Sequence, residues 1–139
     1  LRLDKDEVLR KLSKKKIIIK PGKIYNILKG LSNKIILTTG NTQDIGIQMS
    51  KNKYKGFSVY SIPAWGMKFK KNFIKSIKNI STIVTVEDHF YDGGFGSWVN
   101  ESIKLKKNNI KIFSEFISNK TMYEVGSKKY LLNKYGPKI

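Results

Sequence analysis

An open, mostly parallel α/β sheet with helices on both faces is the fold this sequence predicts, and three observations predict it. Short β-branched runs alternate with segments of helical period along nearly the whole chain, the signature of strand–helix–strand units. Several of the runs are continuously apolar, as strands covered on both faces must be. Glycine or proline closes most of them, so each run is short enough to be a strand.

The elements follow in order. Leu1 to Lys16 is polar and lysine-rich, with Val8, Leu9 and Leu12 supporting at most a short helix, and reads as a connection into the domain. After Pro21 and Gly22, Ile24 to Leu28 is an edge strand closed by Gly30. Lys34 to Thr39 is a buried strand ended by Gly40. Thr42 to Lys51 places Ile45, Ile47 and Met49 among polar residues and reads as a helix despite Gly46. Phe57 to Ile62 is a third strand stopped by Pro63. Lys68 to Asn79 is an amphipathic helix, with Phe69, Phe73, Ile74 and Ile77 on one side and Lys70, Lys71, Lys75 and Lys78 on the other. Ser81 to Val86 is the most continuous β-branched run and belongs near the sheet centre. Ser97 to Lys107 is a helix offering Trp98, Val99, Ile103 and Leu105 for packing, Ile110 to Phe116 is the last strand, and a helix over Ser127 to Lys134 closes the chain. In such a sheet, function collects in the loops beyond the strands' carboxyl ends. Here these are Gly40 to Gln43, Pro63 to Gly66 and Asp88 to Gly96.

Composition narrows the function classes. A chain of 139 residues with 40% apolar residues is one domain with a real core. It has no cysteine, which removes disulfides and thiolate metal sites and is compatible with a cytoplasmic location. No apolar run is long enough to span a membrane. The net charge of +18 suggests a polyanion partner. However, the only arginines are Arg2 and Arg10, and the lysines are scattered from Lys5 to Lys138 instead of forming a patch. Phosphate clamping and base readout favour the guanidinium fork, so nucleic-acid binding is not expected.

The most informative stretch runs from Thr82 to Glu101 and reads TIVTVEDHFYDGGFGSWVNE. A strand delivers Glu87, Asp88 and the only histidine, His89; a turn carries Gly93, Gly94 and Gly96; a helix follows. Free amides at that helix start can accept an anion, and glycines permit positive φ and close backbone approach. Neither the GxGxxG spacing nor the Walker lysine is present. The residues favour a structural turn, in which a carboxylate satisfies nearby amides, over a ligand site. His89 has the pKa range of a general base, but no serine or cysteine nucleophile motif accompanies it. Glu87 and Asp88 are neighbours on a strand and point to opposite faces, which is poor geometry for a carboxylate pair. Trp65, Trp98, Phe90 and Phe95 supply either an aromatic surface or, more simply, buried packing.

A strand ending Val86-Glu87-Asp88-His89, then Gly93-Gly94-Phe95-Gly96-Ser97 and a helix bearing Glu101, resembles the C-terminal domain of transketolases. It is similar to the same domain of 1-deoxyxylulose-5-phosphate synthase and of 2-oxo acid dehydrogenase beta subunits. Gly22-Lys23, Thr39-Gly40, Pro63, Val125-Gly126-Ser127, Tyr130-Leu131-Leu132 and Tyr135-Gly136 fall in the same order, so the resemblance covers the chain from about Pro21. Two departures stand out: the helix between Gly40 and Phe57 is about one turn short, and Trp65 replaces an aspartate common in that family.

The resemblance implies a three-layer α/β/α domain with a mixed, mostly parallel five-stranded sheet whose first strand is antiparallel. It assigns residues 21–139 to that domain. Residues 1–20 become the end of a preceding pyrimidine-binding domain and its linker, with Leu1-Arg2-Leu3-Asp4 as the tail of a strand. It further implies that thiamine diphosphate and magnesium belong to the full enzyme, held by N-terminal and pyrimidine-binding domains of the same chain or a partner subunit. This chain then has no catalytic, cofactor or metal residue, and the full enzyme is a homodimer. Glu87, Asp88, His89, Gly93, Gly94, Phe95 and Gly96 become candidate interface or inter-domain residues.

Overall fold

The computed structural model describes residues 18–105 and 109–139. The short helix expected of Val8, Leu9 and Leu12 and the strand tail expected at Leu1 to Asp4 lie outside the described residues. Five strands form one mixed sheet: β1 (Tyr25–Leu28), β2 (Lys34–Thr38), β3 (Ser58–Ser61), β4 (Thr82–Val86) and β5 (Lys111–Glu115), in the spatial order β1-β3-β2-β4-β5. β1 runs antiparallel to β3, with a register shift between Asn26 and Leu28, and the other pairings are parallel. The expected three-layer, mostly parallel architecture is therefore the one observed.

Four helices among the described residues complete it: α1 (Gln43–Lys51), α2 (Lys70–Ser76), α3 (Phe95–Lys104) and α4 (Lys128–Tyr135). Strand alternation splits the core in two. Ile35, Leu37 and Ile83 face α2 and α3 with Phe73, Ile77, Phe95, Trp98 and Val99. Ile36, Val59, Val84 and Val86 face α1 through Met49. All five residues of β4 are buried, as its unbroken β-branched run requires, and it lies beside the central β2.

Local differences from the sequence reading have local causes. The α2 helix is shorter than Lys68 to Asn79 at both ends: a 3₁₀ turn over Met67–Phe69 precedes it, and the chain leaves the helix at Ile77 and turns left-handed at Asn79, φ 65°. A second 3₁₀ turn, Gly40–Thr42, opens α1, and Thr39 and Thr42 hold it in a capping box. The α3 helix begins at Phe95, two residues before Ser97, for a reason given below. Leu105 does not pack: α3 ends before it, and it stands 73% exposed.

Candidate functional site

The chain passes from β2 to β3 on one side and to β4 on the other, so the topological switch lies between the carboxyl ends of β2 and β4. A doubly wound sheet opens a ligand crevice at that point. Here the chain's own side chains bond across and beside it. The Thr42 hydroxyl, fully buried, donates to the Val86 carbonyl at 3.0 Å. The Thr39 hydroxyl donates to the Ile62 carbonyl at 3.1 Å and accepts from the Trp65 indole at 3.1 Å. The Trp65 ring then leans on Phe95 and Trp98, with centroids 5.3 and 5.5 Å away.

Next to this plug lies the corner formed by the Glu-Asp-His stretch and the glycines. Glu87 is 1% exposed, and its carboxylate accepts from the Phe95 amide at 2.7 Å and the Gly96 amide at 2.9 Å. These are orphan amides of the α3 N-terminus, and a buried carboxylate satisfies them from inside. That is why α3 starts at Phe95. Burial pushes the Glu87 carboxyl above the ordinary carboxylate range, and the two amide bonds pull it only part of the way back.

The glycines serve this carboxylate in different ways. Gly93 has φ +69°, a left-handed turn position with open space where a side chain would stand. Gly94 and Gly96 have no positive φ. They are glycine for want of room: a Cβ would stand 2.2 Å from Glu87 Oε2 at Gly94 and 2.8 Å from Oε1 at Gly96.

Asp88 and His89 lie outside this corner. His89 Nδ1 sits 2.9 Å from Asp88 Oδ1, with about half of the His89 side chain exposed, and the His89 carbonyl accepts from Ile117 N at 3.0 Å. Of the seven candidate residues, Glu87, Phe95 and Gly96 are thus internal, while Asp88, His89, Gly93 and Gly94 reach the surface to different degrees. Phe95 and Trp98 are core residues, Trp65 is half-buried against them, and among the four aromatics only Phe90 is exposed. Among the described residues no group of three His, Asp or Glu could hold a metal ion. The open depression around Asn33, Ile77, Asn79 and Ser81 lies at the opposite, amino-terminal end of the strands.

With its switch point bridged and two of its helix amides capped from within, the fold has a solved counterpart. The chain matches the structure of "Split gene transketolase, inactive beta4 tetramer" with a TM-score of 0.68 over 87% of its length, at 21% identity. It covers 40% of that longer chain. At this identity the likeness establishes the fold. No protein-family sequence model matches the chain, and no curated protein matches it.

Two features escaped sequence reasoning. Tyr54 OH and Lys53 Nζ both bond to Glu115 Oε1 at 2.6 Å, joining the turn after α1 to the end of β5. Burial and the Glu115 carboxylate raise the Tyr54 hydroxyl well above its ordinary value. Glu124 gathers Tyr130, Tyr135 and Lys134, which tie the segment after β5 to α4. These bonds hold the Glu124 carboxyl down at about 2. Neither group has a motif; both arise from residues that only the fold brings together.

Proposed function

We propose that this chain is the C-terminal structural and interface domain of a thiamine-diphosphate-dependent, transketolase-like transferase, and that it does not catalyse by itself. The observation that carries this reading is the bonded switch point, where Thr42 bridges the ends of β2 and β4, Thr39 and Trp65 bond beside it, and Glu87 occupies the adjacent helix amides. The position where a doubly wound sheet would bind substrate serves internal packing instead. Glu87 already takes the α3 amides of Phe95 and Gly96, so these two are not available to a diphosphate, which supports the reading.

In this reading residues 21–139 form the domain and residues 1–20 lead in from a pyrimidine-binding domain. Thiamine diphosphate and magnesium are held by that domain and an N-terminal one, in the same polypeptide or a partner subunit, within a cytoplasmic homodimer. Asp88, His89 and Gly93 contact those domains, while Glu87, Gly94, Phe95 and Gly96 shape the corner that presents them.

Calorimetric titration of the 139-residue chain with thiamine diphosphate and magnesium tests this directly. No heat of binding is expected, and micromolar affinity would overturn the reading. In the assembled enzyme, His89→Ala should weaken domain association while leaving turnover of the residual complex near its original value. Loss of turnover by orders of magnitude with association intact would make His89 catalytic. DNA binding by the isolated chain should be weak, sequence-independent and nearly abolished by about 200 mM salt, because such contacts act through counterion release. Sequence-selective binding that survives this salt would favour a nucleic-acid module.

A further inference from the structure

The two edges of the sheet are not equally defended. β1 is short and carries the register irregularity between Asn26 and Leu28, a usual means of turning an edge away from pairing. β5 runs as an unbroken register of five residues beside β4, with no partner strand on its outer side among the described residues. Its backbone bonds toward β4 involve Lys111 N to Ser81 O, Glu87 N to Glu115 O and Ile117 N to His89 O. By alternation, Ile112 and Ser114 therefore direct their amides and carbonyls outward.

Lys111, Phe113 and Glu115 share the face that α1 covers elsewhere, since Phe113 pairs with Val84 of the α1 core. Val84 is fully buried, whereas Phe113 beside it is 53% exposed. The strand reads Lys-Ile-Phe-Ser-Glu, a pattern complementary to itself when reversed. A second copy laid antiparallel with Phe113 opposite Phe113 sets Lys111 against Glu115 at both ends. It also sets Ile112 against Ser114 with their outward backbone groups facing each other. Phe113 and the charged residues then occupy the non-hydrogen-bonded positions, where side chains approach most closely. Glu115 is prepared for this: Lys53 and Tyr54 both bond to Oε1, and Oε2 is left for a lysine from the other copy among the described residues.

We propose that β5 pairs antiparallel with β5 of a second copy of this chain about a two-fold axis at Phe113, forming one continuous sheet from the two five-stranded ones. The contact is isologous, so each copy supplies the same strand. This holds independently of the cofactor reading above, because it uses only the edge, its charge pattern and its exposed ring.

The absence of any cysteine permits a position-specific test. In the proposed pairing the two Phe113 Cα atoms lie within disulfide reach, so Phe113→Cys should form a covalent dimer under mild oxidation. Ile27→Cys on the opposite edge, also surface-exposed, should stay monomeric. By sedimentation the unmodified chain should show a concentration-dependent dimer. Lys111→Glu should weaken it by about tenfold, since each of two symmetric cross-strand pairs turns from attraction to repulsion. Ser114→Pro should abolish dimerisation while lowering the melting temperature no further than Ser114→Ala, which loses the same bond from the Thr85 hydroxyl, because the amide that proline removes points away from β4. Equal cross-linking at both positions, or a monomer at every concentration, would overturn the proposal. So would a monomeric Phe113→Cys variant whose introduced thiol resists alkylation, which would assign the edge to another segment of the same chain.

Discussion

Glu87 and Glu124 do the same job at different depths, one fully buried and the other partly exposed. Each carboxylate ties two chain segments together through several hydrogen bonds. Glu87 does so inside the protein with backbone amides, Glu124 near the surface with two tyrosine hydroxyls and a lysine. Burial dominates at Glu87 and raises its carboxyl, whereas paired donors dominate at Glu124 and lower it. The partners a carboxylate finds therefore do not by themselves fix its effect on stability. What water it gives up matters as much.

The largest way to break this comparison is to crowd the buried member. Gly94→Ala drives a methyl into Glu87 Oε2 and toward the Phe90 carbonyl, 2.4 Å away, which neither can readily yield. A loss of about 3 kcal/mol or more in chemical denaturation is expected, since both cap bonds fail together. Gly93→Ala is the control on the same turn. It meets no atom within 4 Å but sits at φ +69°, so only strain of about 1 kcal/mol should appear. Equal costs at the two positions would show that the turn conformation, and not the carboxylate, sets the requirement.

Next in size is Glu87→Gln, which keeps the shape but turns an amide group toward one of the two donors. About 1–3 kcal/mol should be lost. The pH dependence sharpens the contrast. A carboxyl raised on folding contributes stability that is present below its unfolded value near 4.5 and is lost as pH rises through its higher folded value. The unmodified protein should therefore weaken across that window, and Glu87→Gln should remove this part of the slope.

Glu124 gives the opposite sign and the smallest effect. Its contribution is present above 4.5 and lost as pH falls toward about 2. Exposure and screening keep it small. Glu124→Gln should flatten only the acid limb of the stability profile, and it should raise hydrogen exchange locally in α4 while leaving β4 protected.

The sequence was most readable where one face or both had to be buried. The run Ser81 to Val86 and the spacing of Phe73, Ile74 and Ile77 identified β4 and α2 because burial alone dictates those patterns. Element ends were less readable. The start of α3 depends on Glu87, eight residues earlier, which no local window weighs. The sequence marks the glycine turn as a place where a carboxylate satisfies amides. It does not carry the separate reasons for the three glycines, because space at Gly94 and Gly96 is a property of the folded corner. The plug of Thr39, Thr42 and Trp65 was illegible for the same reason: its partners, Ile62, Val86 and Phe95, come from three other segments.

The two tryptophans differ in a way that gives the domain a built-in optical gauge. Trp98 is 4% exposed and its indole nitrogen has no hydrogen-bond partner among the described residues, while Trp65 is less enclosed and donates to Thr39. An indole in apolar surroundings with no acceptor emits at the blue end of the tryptophan range, and a hydrogen-bonded, wetter one emits further to the red. Loosening of α3 from the sheet would therefore red-shift the blue component first. Displacement of Trp65 by a docking domain would alter the red component alone, so one emission spectrum could distinguish core opening from events at the strands' carboxyl ends.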